Sequence, residues 1–164
     1  MVVTSSGNIA TSGNNAFGIA AGTIYGPVTV ISSGDIATSG TFSAGINVGS
    51  IGRSGTNDGA ITIRSTGNIT TTGTDAIGIN AATVYSPIDI TSSGNIAVSG
   101  AASVGINAQT QGDVRITSNG NIASGPDSSV AILAVSQAGS ILITSTGDIA
   151  TAGQTGIGIY ARAG

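Results

Sequence analysis

The chain contains no cysteine, histidine, tryptophan, lysine or glutamate. Without Cys or His it has no thiol chemistry, no disulfide framework and no usual zinc or copper ligand set. Without His, Lys and Glu it lacks the side chains most used for general acid–base catalysis. Charge is equally scarce. Four Arg and seven Asp give a net charge of −3 and a charged fraction of 7%, against about 25% in ordinary globular domains. Four scattered Arg make no basic stripe, so nucleic acid is excluded as a partner. No stretch approaches the roughly 20 apolar residues of a membrane-spanning helix. The N-terminal MVVTSSGNIA has neither a charged leader nor an apolar signal core, so export signals are expected outside this chain.

What is present is Gly, 27 residues of it in 164, together with 40% hydrophobic residues. A Gly-(Asn/Asp)-Ile tripeptide begins at Gly7, Gly34, Gly67, Gly94, Gly120 and Gly147, at spacings of 27, 33, 27, 26 and 27. Eleven residues after each lies a second mark: Gly18-Ile19, Gly45-Ile46, Gly78-Ile79, Gly105-Ile106, Ala131-Ile132 and Gly158-Ile159. Six residues before each begins an apolar-x-apolar pair: Met1/Val3, Val28/Val30, Ile61/Ile63, Ile88/Ile90, Val114/Ile116 and Ile141/Ile143. The long spacing holds an insertion, GRSGTNDG, at 52–59.

Each repeat thus has three short segments of period-2 apolar alternation, parted by Gly, Ser, Asn or Pro, which read as three strands and their turns. A unit of this kind cannot bury its own apolar face and must stack on copies of itself. The expected fold is all-β, a single-stranded, right-handed parallel β-helix (a solenoid) filling 1–164. It has about six coils of about 27 residues, beginning near Met1, Val28, Ile61, Ile88, Val114 and Ile141. At about 4.8 Å per coil the rod is roughly 29 Å long.

Stacking turns repeat positions into columns. Ile9, Ile36, Ile69, Ile96, Ile122 and Ile149 form one expected core stack. Ile19, Ile46, Ile79, Ile106, Ile132 and Ile159 form the other. Ser5, Ser32, Ser65, Ser92, Ser118 and Ser145 should point inward as a hydroxyl ladder bonded to turn backbone, since a buried hydroxyl needs a partner. Asn8, Asp35, Asn68, Asn95, Asn121 and Asp148 should share that corner, tolerating left-handed backbone and bonding along the stack. Outward, Asp89 and Arg115 fall one rung apart, where a surface ion pair worth at most about 1 kcal/mol is expected.

The run GNITTTGTDAIGINA, Gly67 to Ala81, resembles the passenger repeats of bacterial autotransporters, with related patterns in filamentous-haemagglutinin-like secreted proteins. The similarity extends from about Val2 to Ala161. It implies a rod exported across the outer membrane of a Gram-negative bacterium and displayed at the cell surface or released. In that family the translocating β-barrel is C-terminal to the passenger. This chain carries no barrel, signal or visible cap, so it is expected to be a segment of a longer passenger or a subunit whose ends are otherwise covered.

The seven Asp do not cluster as glycosidase or lyase chemistry needs. Asp35 and Asp148 share a column but stand four coils apart, roughly 19 Å. A serial Gly-Gly-x-Gly-x-Asp calcium repeat is absent. Thr91, Thr117 and Thr144 form a partial column without the flat double face that ice binding requires. No catalytic residue, cofactor or metal is assigned. The expected function is a non-enzymatic structural or adhesive segment of a surface passenger. Its candidate contacts to a host-cell or matrix glycan or protein are Arg53, Asn57 and Asp58 of the insertion, with Tyr25, Tyr85 and Tyr160. The rival expectation is a filament subunit that joins its own copies end to end, because open strand edges template further pairing.

Overall fold

Short β-rich segments broken every few residues by turn formers give eighteen strands and no helix. The computed structural model describes all residues from Met1 to Gly164. Coil one holds β1 (Val2–Ser5), β2 (Ile9–Ser12) and β3 (Phe17–Thr23); coil two holds β4 (Val28–Ser32), β5 (Ile36–Ser39) and β6 (Ala44–Ser50). Coil three holds β7 (Ile61–Ser65), β8 (Ile69–Thr72) and β9 (Ile77–Ala82); coil four holds β10 (Ile88–Ser92), β11 (Ile96–Ser99) and β12 (Val104–Thr110). Coil five holds β13 (Val114–Ser118), β14 (Ile122–Ser124) and β15 (Val130–Ser136); coil six holds β16 (Ile141–Ser145), β17 (Ile149–Thr151) and β18 (Ile157–Ala163). Every third strand pairs with its counterpart in the next coil, giving three six-stranded parallel sheets. The fold is the β-solenoid read from the repeat.

Register follows the repeat position by position. Ile69 pairs with Ile96 and Ile96 with Ile122 in the second sheet, and Ile79 with Ile106 and Ile106 with Ile132 in the third. The three inward faces enclose one core of 24 buried apolar residues, dominated by Ile. Each fully buried Ile contributes about 1.5–3 kcal/mol by leaving water. Both Ile columns run through this core, with a difference at the ends. Ile9 and Ile149 are half-buried, and Ile159 is 48% exposed, because the end coils have a neighbour on one face only.

The Asn/Asp column differs from expectation in its backbone. None of its members has positive φ. The left-handed residues form another column, at the turn between the second and third strands: Asn15, Phe42, Asp75, Ala102 and Ser128, at φ of 56–58°. There the amides of Asn15, Phe42, Asp75 and Ala102 donate to the next coil's turn carbonyls at 2.9–3.0 Å. That stacking holds a conformation which L-residues otherwise avoid. The same turn opens on Gly13, Gly40, Gly73 and Gly100, at φ of 111–138°. Coil five has Pro126 in that place, and the ring fixes φ near about −65°. The positive φ moves one residue on, to Asp127.

The Ser column points inward but is bonded less well than expected. Ser5, Ser92, Ser118 and Ser145 reach the carbonyl of their own turn Gly at 3.3–3.5 Å, whereas Ser32 and Ser65 have no partner. The acceptor is two residues on in the same tight turn, which leaves it at the limit of the short hydroxyl's reach.

The Asn/Asp column does bond along the stack. Asp35 N–H donates to Asn8 Oδ1, Asn68 N–H to Asp35 Oδ1, Asn95 N–H to Asn68 Oδ1, Asn121 N–H to Asn95 Oδ1 and Asp148 N–H to Asn121 Oδ1, at 2.8–3.0 Å. Each side chain except that of Asp148 in the last coil therefore satisfies a turn amide that no strand ladder reaches. Replacing Asn68 with Ala removes the acceptor for Asn95 N–H, and equilibrium denaturation should record a loss of about 0.5–1.5 kcal/mol. Asn68→Asp should lose much less, since Asp35 already fills this role beside it.

Candidate surface sites

The inside repeats itself and the outside does not, so candidate sites lie on outward positions. The corner after the third strand varies most, because only there does segment length change. Coil two carries the 52–59 insertion at this corner, and the insertion is internally ordered. Asp58 accepts from Arg53 N–H at 2.7 Å and from the Thr56 hydroxyl at 2.7 Å, and its other oxygen takes the Arg53 guanidinium at 3.1 Å. The guanidinium also lies over the Tyr25 ring, 4.4 Å from its centroid. Of the sequence candidates, the fold thus brings Tyr25, Arg53 and Asp58 together. Asn57 is exposed in the same loop, and Tyr85 is exposed at the same corner in coil three. Tyr160 is elsewhere, on the outer face of the third sheet beside Leu133.

The Thr56 hydroxyl, followed by the Arg53 amide and guanidinium charge, holds the Asp58 carboxyl below its ordinary value of 3.8. Asp113 is lowered in the same way by the amide and hydroxyl of Ser140. A carboxyl lowered on folding contributes stability that is complete above the unfolded value and is lost as pH falls through the folded one. Acidification below 3.8 should therefore loosen the insertion. A carboxyl-detected NMR titration should place the Asp58 midpoint below 3.8, and an Arg53→Ala change should raise it.

Asp89 and Arg115 are opposite one another in register, yet they form no ion pair. The sole salt bridge of the chain is Arg53–Asp58. Exposed pairs gain little over water, and register alone does not hold two side chains together.

Two outward features lie outside the sequence candidates. One is an amide ladder on the third sheet. Asn80 Nδ2 donates to Asn47 Oδ1 at 2.7 Å, Asn107 Nδ2 to Asn80 Oδ1 at 2.8 Å, and Gln109 Nε2 to Asn107 Oδ1 at 3.0 Å. Its signal was the recurrence of Asn thirteen residues after Gly34, Gly67 and Gly94. The other is the line of outward side chains at the variable corner, Ile24, Ile51, Val84, Gln111 and Gln137, one per coil. Its first three members are 62%, 46% and 37% exposed. Beside the last three runs a groove of about 240 Å³, lined by Ala82, Thr83, Val84, Gln109, Thr110, Gln111, Val135 and Gln137.

No group of three or more acidic residues gathers anywhere that could hold a metal ion. No helix is long and apolar enough to cross a membrane. The chain matches no protein-family profile, no curated protein and no solved structure.

Proposed function

We propose that the solenoid is a non-enzymatic structural rod carrying an adhesive surface, as a segment of a passenger displayed outside a Gram-negative cell. The observation that carries the adhesive part is the corner where Arg53, held by Asp58, lies on Tyr25 beside the exposed Ile24, Ile51 and Val84. Contiguous exposed apolar side chains rimmed by polar ones mark interaction sites. Most of the sequence serves stacking, which leaves recognition to such outward departures from the repeat. The display part rests on the resemblance of the Gly67–Ala81 run to passenger repeats. Deleting 52–59 should weaken binding of the purified rod to host cells or matrix while leaving its melting temperature close to the parent. Unchanged binding removes this corner from the reading.

A filament of stacked copies is the second reading, favoured by the end columns. Ile157 and Ile159 of coil six are 42% and 48% exposed, and their partners in a following copy would be the matching columns of coil one. Sedimentation at rising concentration tests it, with rods one solenoid wide in electron micrographs as the supporting result. A concentration-independent monomer excludes it.

A further inference from the structure

We propose that the groove beside Val84, Gln111 and Gln137 is a binding site for an uncharged oligosaccharide lying along the rod axis. The proposal rests on the adhesive reading and names a ligand class for it. The groove runs across coils three to five, and no charged side chain lines it. Its polar groups are the carboxamides of Gln109, Gln111 and Gln137 and the hydroxyls of Thr83 and Thr110, and its apolar groups are Ala82, Val84 and Val135. A carboxamide both donates and accepts, which matches a hydroxyl that does the same. The small aliphatic side chains match the C–H faces of a sugar ring. A polyanion or polycation would find no counter-charge among the lining groups. The nearest carboxylate in sequence, Asp113, is bonded to the amide and hydroxyl of Ser140 at 2.8 and 2.9 Å. The Arg162 position lies one rung beyond Val135, so an anionic sugar is a necessary control.

The amide ladder gives the site a fixed acceptor. Gln109 spends a donor on Asn107, whose own amide donates to Asn80, and that of Asn80 to Asn47. Donation along such a chain polarises the terminal carbonyl and strengthens it as an acceptor. Gln109, which lines the groove, ends the chain, and its Oε1 accepts no hydrogen bond from the protein. The side chain is thus oriented before a ligand arrives, which lowers the ordering cost of binding.

The test is calorimetric titration of the full 164-residue chain with cellohexaose, xylohexaose and mannohexaose, and with hexagalacturonate as the anionic control. At least one uncharged hexasaccharide should bind and shift the NMR signals of Gln109, Gln111 and Gln137. Gln109→Ala combined with Gln137→Ala should weaken it roughly tenfold or more, as loss of two hydrogen bonds requires. Val135→Arg should block it, with circular dichroism confirming that each variant keeps its fold. The inference is overturned if no uncharged sugar binds, if the groove variants bind as the parent does, or if hexagalacturonate or a peptide binds preferentially. Cell adhesion that survives the groove variants but is lost on deletion of 52–59 overturns the groove and leaves the adhesive reading standing. Sugar binding at the groove with no adhesion to any cell or matrix does the reverse.

Discussion

Ile96→Asp should unfold the central coils at neutral pH. Ile96 is 1% exposed, in the second sheet between Ile69 and Ile122. Removing a buried Ile side chain alone costs about 2–5 kcal/mol. A carboxylate in its place also has to leave water without a partner, or take up a proton at a pH where it would otherwise be ionised. The total reaches the 5–15 kcal/mol that holds a typical domain together. Because each coil contacts only its neighbours, the defect should divide the rod into two short stacks. Ala97→Asp is the control. That residue is next in the same strand but faces outward, and surface substitutions usually stay within about 0.5 kcal/mol. Thermal melts of the two variants decide the matter. An unchanged melting temperature for Ile96→Asp would mean that the column does not face the core.

Gly67→Ala should also destabilise the rod, through a single methyl group. Gly67 has no positive φ, so Ala could adopt its backbone conformation. By itself the change would then stabilise by about 0.4–1 kcal/mol through the unfolded chain. Space reverses the sign. A Cβ at Gly67 would overlap the carbonyl of Gly34 in the preceding coil and lie 2.9 Å from the Asp35 amide nitrogen. Both neighbours are backbone, pinned by the Asn68–Asp35 bond, and cannot rotate away. Relief requires coils two and three to part at this corner. Overpacking of this kind costs about 1–3 kcal/mol, occasionally more. Gly94 and Gly120 meet the same obstacle one coil at a time, whereas a Cβ at Gly7 meets nothing within 4 Å. Denaturant midpoints should therefore fall clearly for Gly67→Ala and hold or rise for Gly7→Ala. Equal midpoints would show that the coils are not stacked this closely.

These two results concern parts of the fold that could be read from the repeat. Ile96 belongs to an unbroken column, and the invariant offset of the Gly-(Asn/Asp)-Ile tripeptide marks a corner. The reason Gly67 must be Gly is less visible, because the obstruction comes from Gly34, thirty-three residues away. The αL column was not legible at all: Asn15, Phe42, Asp75, Ala102 and Ser128 share a conformation but no chemistry. What they share is a turn whose amides are taken up by the next coil, so the stack overrides residue preference. Asp89 and Arg115 are the opposite case. Their chemistry suggested a contact, and correct register did not produce one.

The sequence by itself determined what lies inside. In a solenoid the neighbours of an interior residue are its own counterparts one coil away, so a strict period and a two-residue alternation leave one arrangement of the core. It equally determined the Asn/Asp stack, whose members recur at a fixed offset. Only the tertiary structure decided what lies outside. Arg53 meets Tyr25 because two corners of adjacent coils are about 4.8 Å apart in space. Gln109, Gln111 and Gln137 line one groove because coils four and five stack in register there, Thr110 beside Ser136. A linear pattern records which way a side chain points; it does not record which outward side chains of neighbouring coils meet.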